Sequence, residues 1–224
     1  MAPSLTLEKD FFSQGIKSLA GIDEVGRGCI AGPVSIGIAV ISSEVGNIPK
    51  GLNDSKLLSP SKREGLIPEI KTWTSDFAVG HSSNKEIDKH GLPNALKLAA
   101  ARALAALSNI PELIILDGKH NWLKTNPNEL FLEAKVAIEL GEFARLIEQI
   151  KVVTKTKADQ ACASVAAASV LAKVERDGML DELAKKVPNY AWQKNKGYAS
   201  PAHLEAIKLH GPSDYHRISW KPFI

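Results

Sequence analysis

Leu19-Ala20-Gly21-Ile22-Asp23-Glu24 and Pro33-Val34-Ser35-Ile36-Gly37-Ile38-Ala39-Val40-Ile41-Ser42 are the two stretches on which the reading turns. Leu19–Asp23 and Pro33–Ser42 are short, apolar and rich in β-branched residues, so they read as strands joined by a glycine-rich turn. Outward from them, Phe77–Ser82 has strand character. Leu113–Asp117 (LIILD) is a buried-type strand ended by Gly118, and Val152–Thr154 is a further short strand. Helical patterns alternate with these. Ser59–Trp73 starts behind a Ser59 cap and is weakened by Pro68. Pro93–Leu107 is an Ala- and Leu-rich helix. Asp159–Lys186 reads as one long helical region stopped by Pro188. Ser200–His210 has Ser at the N-cap, Pro at N1 and Gly211 behind it. Interleaved strands and helices of these lengths predict an α/β fold, a sheet flanked by helices. Asn126–Ile150, rich in Leu and Glu around Gly141, is expected to be a helix packed on the sheet.

With 224 residues the chain fits one domain with its own core. A formal net charge of +3 permits nucleic-acid binding without establishing it, because the distribution of charge matters more than its sum. Cys29 and Cys162 are the only cysteines and neither belongs to a CxxC pair, which argues against a disulfide scaffold and points to a reducing, cytoplasmic setting. The N-terminal residues do not read as a secretory signal. The strongly apolar run Pro33–Ile41 is too short to span a bilayer, so no membrane role is expected.

Asp23 and Glu24 directly follow an apolar strand, and Asp117 ends another. The ends of strands, where the chain leaves a buried sheet, are where α/β proteins place ligand chemistry. Asp159 opens the long helical region and can approach from the side. Carboxylates held together repel unless a cation lies among them or some are protonated. Oxygen-only ligands select hard cations, so Mg²⁺ or Mn²⁺ is the expected cofactor. Taken singly, each Asp is more often a turn or helix-cap residue. The adjacent acid pair is the stronger signal.

After the pair comes Val25-Gly26-Arg27-Gly28-Cys29-Ile30-Ala31-Gly32-Pro33. Glycines let the backbone approach a ligand, successive N–H groups hold a phosphate or a ribose hydroxyl, and Arg27 adds a forked donor. Neither a P-loop nor a GxGxxG pattern is present here. Further basic candidates are Lys56 in the turn Asn53–Lys56, Lys155 and Lys157, and Lys173 with Arg176 on one helical face. Lys194, Lys196, Tyr198 and Trp192 form a basic-aromatic cluster suited to stacking beside phosphate contacts. Judged alone, such charges more often form a solvated surface. The six histidines show no ligand spacing with cysteine, which argues against zinc.

Together these residues resemble a known family. Gly21–Gly28 followed by Ala31-Gly32-Pro33-Val34 resembles the signature of ribonuclease HII. The likeness continues through Asp54-Ser55-Lys56, Leu116-Asp117-Gly118, Lys157-Ala158-Asp159, Ser164–Ser169, Ala172-Lys173-Val174, Arg176-Asp177, Lys196-Gly197-Tyr198, Gly211-Pro212 and His216-Arg217. These blocks run in family order over nearly the whole chain. The resemblance implies a ribonuclease H-like mixed sheet flanked by helices in a single domain, residues 1–224. Residues 188–224 would form a helical, substrate-binding C-terminal part. It implies a two-metal site of Asp23, Glu24, Asp117 and Asp159 that cuts RNA in RNA–DNA hybrids and 5′ of single ribonucleotides in duplex DNA. It also implies substrate binding by Gly26, Arg27, Gly28, Lys56, Lys173, Lys196 and Tyr198. Gly26–Gly28 would read the 2′-hydroxyl, the group that separates RNA from DNA, and Tyr198 would stack under the neighbouring deoxyribose.

The 42 residues from Asp117 to Asp159 exceed the spacing expected of the family, so residues 126–150 also read as a helical insertion. The approach to Asp159 is Lys-Ala-Asp where many bacterial members have Lys-Gly-Asp. The C-terminus RISWKPFI carries no convincing sliding-clamp motif, and a monomer is expected. Two other classes compete: a non-catalytic nucleic-acid-binding module and a metal-dependent enzyme for a small phosphate ester. All four carboxylates are present, against the first. Basic residues spread through the C-terminal third, against the second.

Overall fold

Strand β2 (Val34–Ser42) is buried along nearly its whole length, so both faces of the sheet it belongs to must be covered. In the computed structural model, which describes residues 2–124 and 134–223, they are. The sheet has the order β3-β2-β1-β4-β5, with β1 (Ser18–Val25), β3 (Asp76–Ser82), β4 (Leu113–Asp117) and β5 (Lys151–Lys155). β1–β2 and β2–β3 are antiparallel; β1–β4 and β4–β5 are parallel. One face is covered by α3 (Asn84–Ala105) and α4 (Ala134–Gln149). The other carries α1 (Thr6–Ser13), α2 (Pro60–Trp73) and α6 (Ala163–Lys186), with α5 (Ala158–Ala161) just before α6. A third, smaller cluster joins the end of α6 to α7 (Trp192–Asn195) and α8 (Pro201–His210). The mixed sheet with flanking helices agrees with the expected fold class.

The Ala-rich start of α6 has a local reason. A Cβ on Gly21 would stand 2.2 Å from the Ser164 carbonyl carbon, and one on Gly37 would stand 2.2 Å from the Ala168 carbonyl oxygen. Helix backbone therefore touches strand backbone, which any side chain at those strand positions would prevent.

Several expectations change. The region from Asp159 is two helices. Cys162 is extended (φ −111°, ψ 125°), because Ser4 bridges to it and the Glu8 carboxylate of α1 accepts from Ser164 N–H (3.0 Å) and Oγ (2.9 Å), capping the second helix. The helix expected at Pro93 has an additional piece from Asn84, with a Ser83–Glu86 capping box and a non-helical Gly91 before Pro93. Pro68 does not interrupt α2. Within 126–150, residues 126–133 lie outside the described residues, and α4 is the crossover helix that a parallel β4–β5 pair needs. Its Leu140, Phe143 and Ile147 join the core.

Trp192, expected in an exposed basic-aromatic cluster, is fully buried, because its indole completes the C-terminal core. There it donates from Nε1 to His203 Nε2 at 3.0 Å. Ser213 N–H donates to His216 Nδ1, so His216 carries its proton on Nε2 and donates to His203 Nε2 at 3.0 Å. His203 then donates from Nδ1 to the Tyr198 carbonyl at 2.8 Å. Both rings are neutral and buried, and each bond requires the tautomer set by the one before it. Burial, with His203 adding to it, pushes His216 down to about 4.

A histidine depressed in the fold and ordinary in the unfolded chain contributes stability that is complete above pH 6.5 and is lost towards pH 4. Wild-type protein should therefore lose on the order of 2 kcal/mol between pH 7 and pH 5. In urea titrations at both pH values, His216→Asn should lose less; an equal loss would show that the pair does not titrate with unfolding.

Candidate active site

Parallel pairing brings the acids together. Ile22 lies opposite Leu116, so Asp23 and Asp117 each stand one residue further along neighbouring strands, on the face covered by α6. Asp23, expected to follow its strand, lies within it. Asp159 arrives on the short helix α5, whose Ala158 N–H donates to Asp117 Oδ1 at 2.7 Å. The alternation of a strand turns Glu24 towards the opposite face from Asp23.

Asp23 is the most constrained of the four. It is 3% exposed. Its Oδ1 accepts from Glu24 N–H at 2.8 Å, whereas its Oδ2 is buried with no hydrogen-bond partner among the described residues. Burial raises its pKa to about 7; the nearby Ser169 hydroxyl and Lys56 oppose that, and Glu24 and Asp117 add to it. Glu24 is raised by burial against the opposing Arg27 guanidinium, 3.3 Å away. Asp159 is raised by burial and by Asp54 and Asp117, with Lys56 opposing. Asp117 and Lys56 are thus the two charges felt by all three of the others. Among the described residues no three acids, histidines or cysteines are yet drawn to one ligating point. An unpartnered buried carboxylate oxygen in an all-oxygen set of repelling acids nonetheless fits a hard divalent cation.

Lys56 stands over this group on a short 3₁₀ turn (Ser55–Leu57). Its Nζ lies 3.5 Å from Asp159 Oδ2. Burial pulls its pKa down, but Asp23, Asp159 and Asp54 more than offset that and leave it raised. Asp54 caps the turn by accepting from Lys56 N–H and takes a second bond from Gln160 Nε2 at 3.2 Å. Ser55 Oγ lies 2.7 Å from Ser169 Oγ, which ties the turn to α6. The buried Asp54 and Ser169 were missed in the sequence. Both lie in blocks that resemble the family, but neither was assigned a site role: Asp54 read as a polar turn residue, and Ser169 is one of many small residues.

The expected substrate contacts divide. Arg27 and Lys56 have exposed side chains, and Tyr198 is 45% exposed with its ring edge 4.0 Å from where a Cβ on Gly28 would lie. Lys173 is held by Asp177 at 2.5 Å, and Lys196 pairs with Asp181. Arg176 corrects the expectation of a surface face shared with Lys173. It is fully buried, because its guanidinium is taken up by the carbonyls of Pro33, Lys196 and Ala31.

The family model for ribonuclease HII matches residues 20–223. The chain belongs to the ribonuclease HII family. It is accordingly an endonuclease of the type 2 ribonuclease H class. Ribonuclease HII of Streptomyces avermitilis is 42% identical over 219 residues, 97% of this chain and 83% of that protein. Ribonuclease HII of Paracoccus denitrificans is 40% identical over 220 residues, 98% of this chain and 92% of that protein. Among solved structures, ribonuclease H2 from Pyrococcus horikoshii superposes with a TM-score of 0.68 at 30% identity, covering 92% of this chain and 95% of that one. Ribonuclease HII of Archaeoglobus fulgidus, solved in complex with PCNA, gives 0.67 at 29% identity, covering 91% and 95%.

Charge removal at Asp23 should stabilise the metal-free protein. Asp23→Asn keeps the acceptor for Glu24 N–H and relieves repulsion, so at pH 8 without divalent cations it should melt about 2–4 °C above wild type, the shift ~1 kcal/mol produces in a chain of this size. A variant melting below wild type would mean that the carboxylate is satisfied in a way the unpartnered Oδ2 does not suggest.

Proposed function

We propose that this ribonuclease hydrolyses the RNA strand of RNA–DNA hybrids and also cuts 5′ of single ribonucleotides embedded in duplex DNA, leaving 5′-phosphate and 3′-hydroxyl ends. The reading rests chiefly on one observation: strand pairing puts Asp23 beside Asp117, and Asp23 keeps a buried oxygen unpartnered. Asp23, Glu24, Asp117 and Asp159 would hold two Mg²⁺ or Mn²⁺ ions. When bound, such a pair supplies Lewis acidity for the attacking water and for the leaving oxygen.

The chain's own groups do the rest. Lys56 neutralises Asp159 and offers its exposed ammonium to the phosphate; Arg27, beside Glu24, offers an exposed fork. The N–H groups of the Gly26–Gly28 turn read the 2′-hydroxyl, and the exposed face of Tyr198 stacks on the sugar of the following deoxynucleotide. Residues 188–224 act as the substrate-binding part of one catalytic domain, in which Lys173 and Lys196 would serve through the elements they brace. The length of the segment 126–150, whose described part is the crossover helix α4, is read as an insertion relative to shorter members. No helix among the described residues is long and apolar enough to cross a membrane. Work as a monomer in the cytoplasm on ribonucleotide repair and replication intermediates is part of the same proposal.

A duplex with one ribonucleotide, incubated with Mg²⁺ or Mn²⁺, should be cut once, on its 5′ side. Asp23→Asn should reduce the rate by at least ~1,000-fold, in the range of losing a principal electrostatic group, and Tyr198→Ala by less. No cleavage by wild type in either metal would sink the proposal. A loss at Tyr198 equal to that at Asp23 would show that Tyr198 takes part in the chemistry.

A further inference from the structure

Two arginines are buried under the glycine turn with no carboxylate in ion-pair distance among the described residues. Arg176 and Arg217 are each fully buried. Arg217 donates to the carbonyls of Gly26 (2.8 Å), Arg27 (3.2 Å), Gly32 (3.1 Å) and Pro33 (3.1 Å). Arg176 donates from Nε to Pro33 O (2.8 Å), from Nη2 to Ala31 O (3.2 Å) and from Nη1 to Lys196 O (3.0 Å). Each arginine therefore turns turn carbonyls inward, and of the turn's N–H groups those of Cys29, Ile30, Ala31 and Gly32 are bonded within the protein, so that among the described residues only those of Gly26, Arg27 and Gly28 are left for a ligand.

Arg176 does something Arg217 does not. Lys196 belongs to the strap that carries Tyr198, so one guanidinium is bonded at once to the Gly26–Pro33 turn and to the strap. Other contacts close the same seam. Ile30 and Ala31 N–H donate to Gly197 O at 2.9 and 3.3 Å, and Cys29 Sγ lies 3.5 Å from Lys196 O. A Cβ on Gly26 would meet Arg176 Nε at 2.1 Å, and one on Gly197 would meet Ala31 O at 2.5 Å. Backbone strain accumulates on the strap, with Ala191 and Lys196 in the left-handed region at φ 51° and 49°.

Burying two like-charged guanidiniums is expensive, and apolar packing would fill the space at lower cost. What the planar fork adds is fixed spacing between the groups it bonds.

We propose that Arg176 is the positioning residue that sets the distance between the ribose-reading turn and Tyr198, and that this distance selects a ribonucleotide followed by a deoxynucleotide. The inference rests on the function proposed above, in which the turn reads the 2′-hydroxyl and Tyr198 stacks on the next deoxyribose. Arg176 touches no substrate. A continuous hybrid offers no deoxyribose to Tyr198 in the cleaved strand, so its cleavage depends less on that spacing.

The test compares kcat/KM on a duplex containing one ribonucleotide with kcat/KM on a continuous RNA–DNA hybrid. Arg176→Lys keeps the charge and loses the fork. It should lower the single-ribonucleotide value by roughly 10- to 100-fold, as a small misplacement does, and the hybrid value by less than about threefold, within the scatter of a remote change. Gly197→Ala leaves both arginines in place and forces the strap off Ala31. It should collapse the same ratio, and it keeps the test open where Arg176→Lys folds poorly. Adding Tyr198→Ala to either variant should cause little further loss on the single-ribonucleotide duplex, since residues acting through one another are not additive. Equal losses on both substrates, or additive losses with Tyr198→Ala, overturn the inference and make Arg176 a purely structural residue. A wild type that cuts the hybrid but not the single ribonucleotide overturns the functional proposal itself, and this inference with it.

Discussion

Contact between the backbone of α6 and the backbones of β1 and β2 is the constraint on which the molecule depends. At Gly21 and Gly37 there is no room for a methyl group. The helix comes this close where the strands carry Gly21 and Gly37 and its own first turns are mostly Ala and Ser. That approach has consequences at both ends of the helix. Near its start, Ser164 receives the Glu8 cap and Ser169 comes beside Asp23. Further on, the same helix axis brings Lys173 and Asp177 under α2 and carries Arg176 beneath the glycine turn. A bulkier helix would ride higher on the sheet and lose the acid site and the arginine clamp together, since both are measured from one rigid element.

The buried charges are segregated. Acids, one of whose buried oxygens (Asp23 Oδ2) has no partner among the described residues, collect at the ends of β1 and β4, and guanidiniums bonded to carbonyls and to no carboxylate among the described residues collect under the turn that directly follows β1. Neither group gains by itself from burial. Their mutual repulsions are relieved in different ways. The carboxylates need a cation from outside. The guanidiniums are solvated by carbonyls that the backbone has already turned towards them. The first site is therefore left unsatisfied and ready for a ligand, while the second is satisfied and rigid. Rigidity there is useful because Gly26, Arg27 and Gly28, whose N–H groups bond to nothing among the described residues, are the part of the turn to which a phosphate or ribose hydroxyl is complementary.

How much was legible in the sequence follows from the range of each interaction. The strands and their terminal acids were readable because apolar runs and the polar residues ending them are local signals. Parallel pairing then placed Asp23 beside Asp117 without further information. The break at Cys162 was not readable, since it is made by Ser4 and Glu8 from the far end of the chain. The burial of Arg176 and Trp192 was also hidden. A cation three residues from Lys173 looks like surface until backbone carbonyls from two distant loops close around it. Asp54 was seen as part of a polar turn and of a block resembling the family, without a site role, and its place beside Asp159 depends on Gln160 reaching back to it.

The split between α5 and α6 has a mechanical meaning of its own. In one continuous helix Asp159 would share the axis that packs against the sheet, and its direction would be fixed by that packing. The extended Cys162 frees the four-residue α5 to take its own angle. Asp117 then seizes its first N–H through Ala158, and Lys56 approaches Asp159 from the other side. The N-terminal segment is thus part of the site's construction although it is far from Asp159 in sequence: Ser4 and Glu8 hold the break open, and the break lets Asp159 face Asp117. Through that break, a carboxylate that in sequence is little more than a helix cap comes to share the electrostatic environment of a strand-end acid 42 residues away.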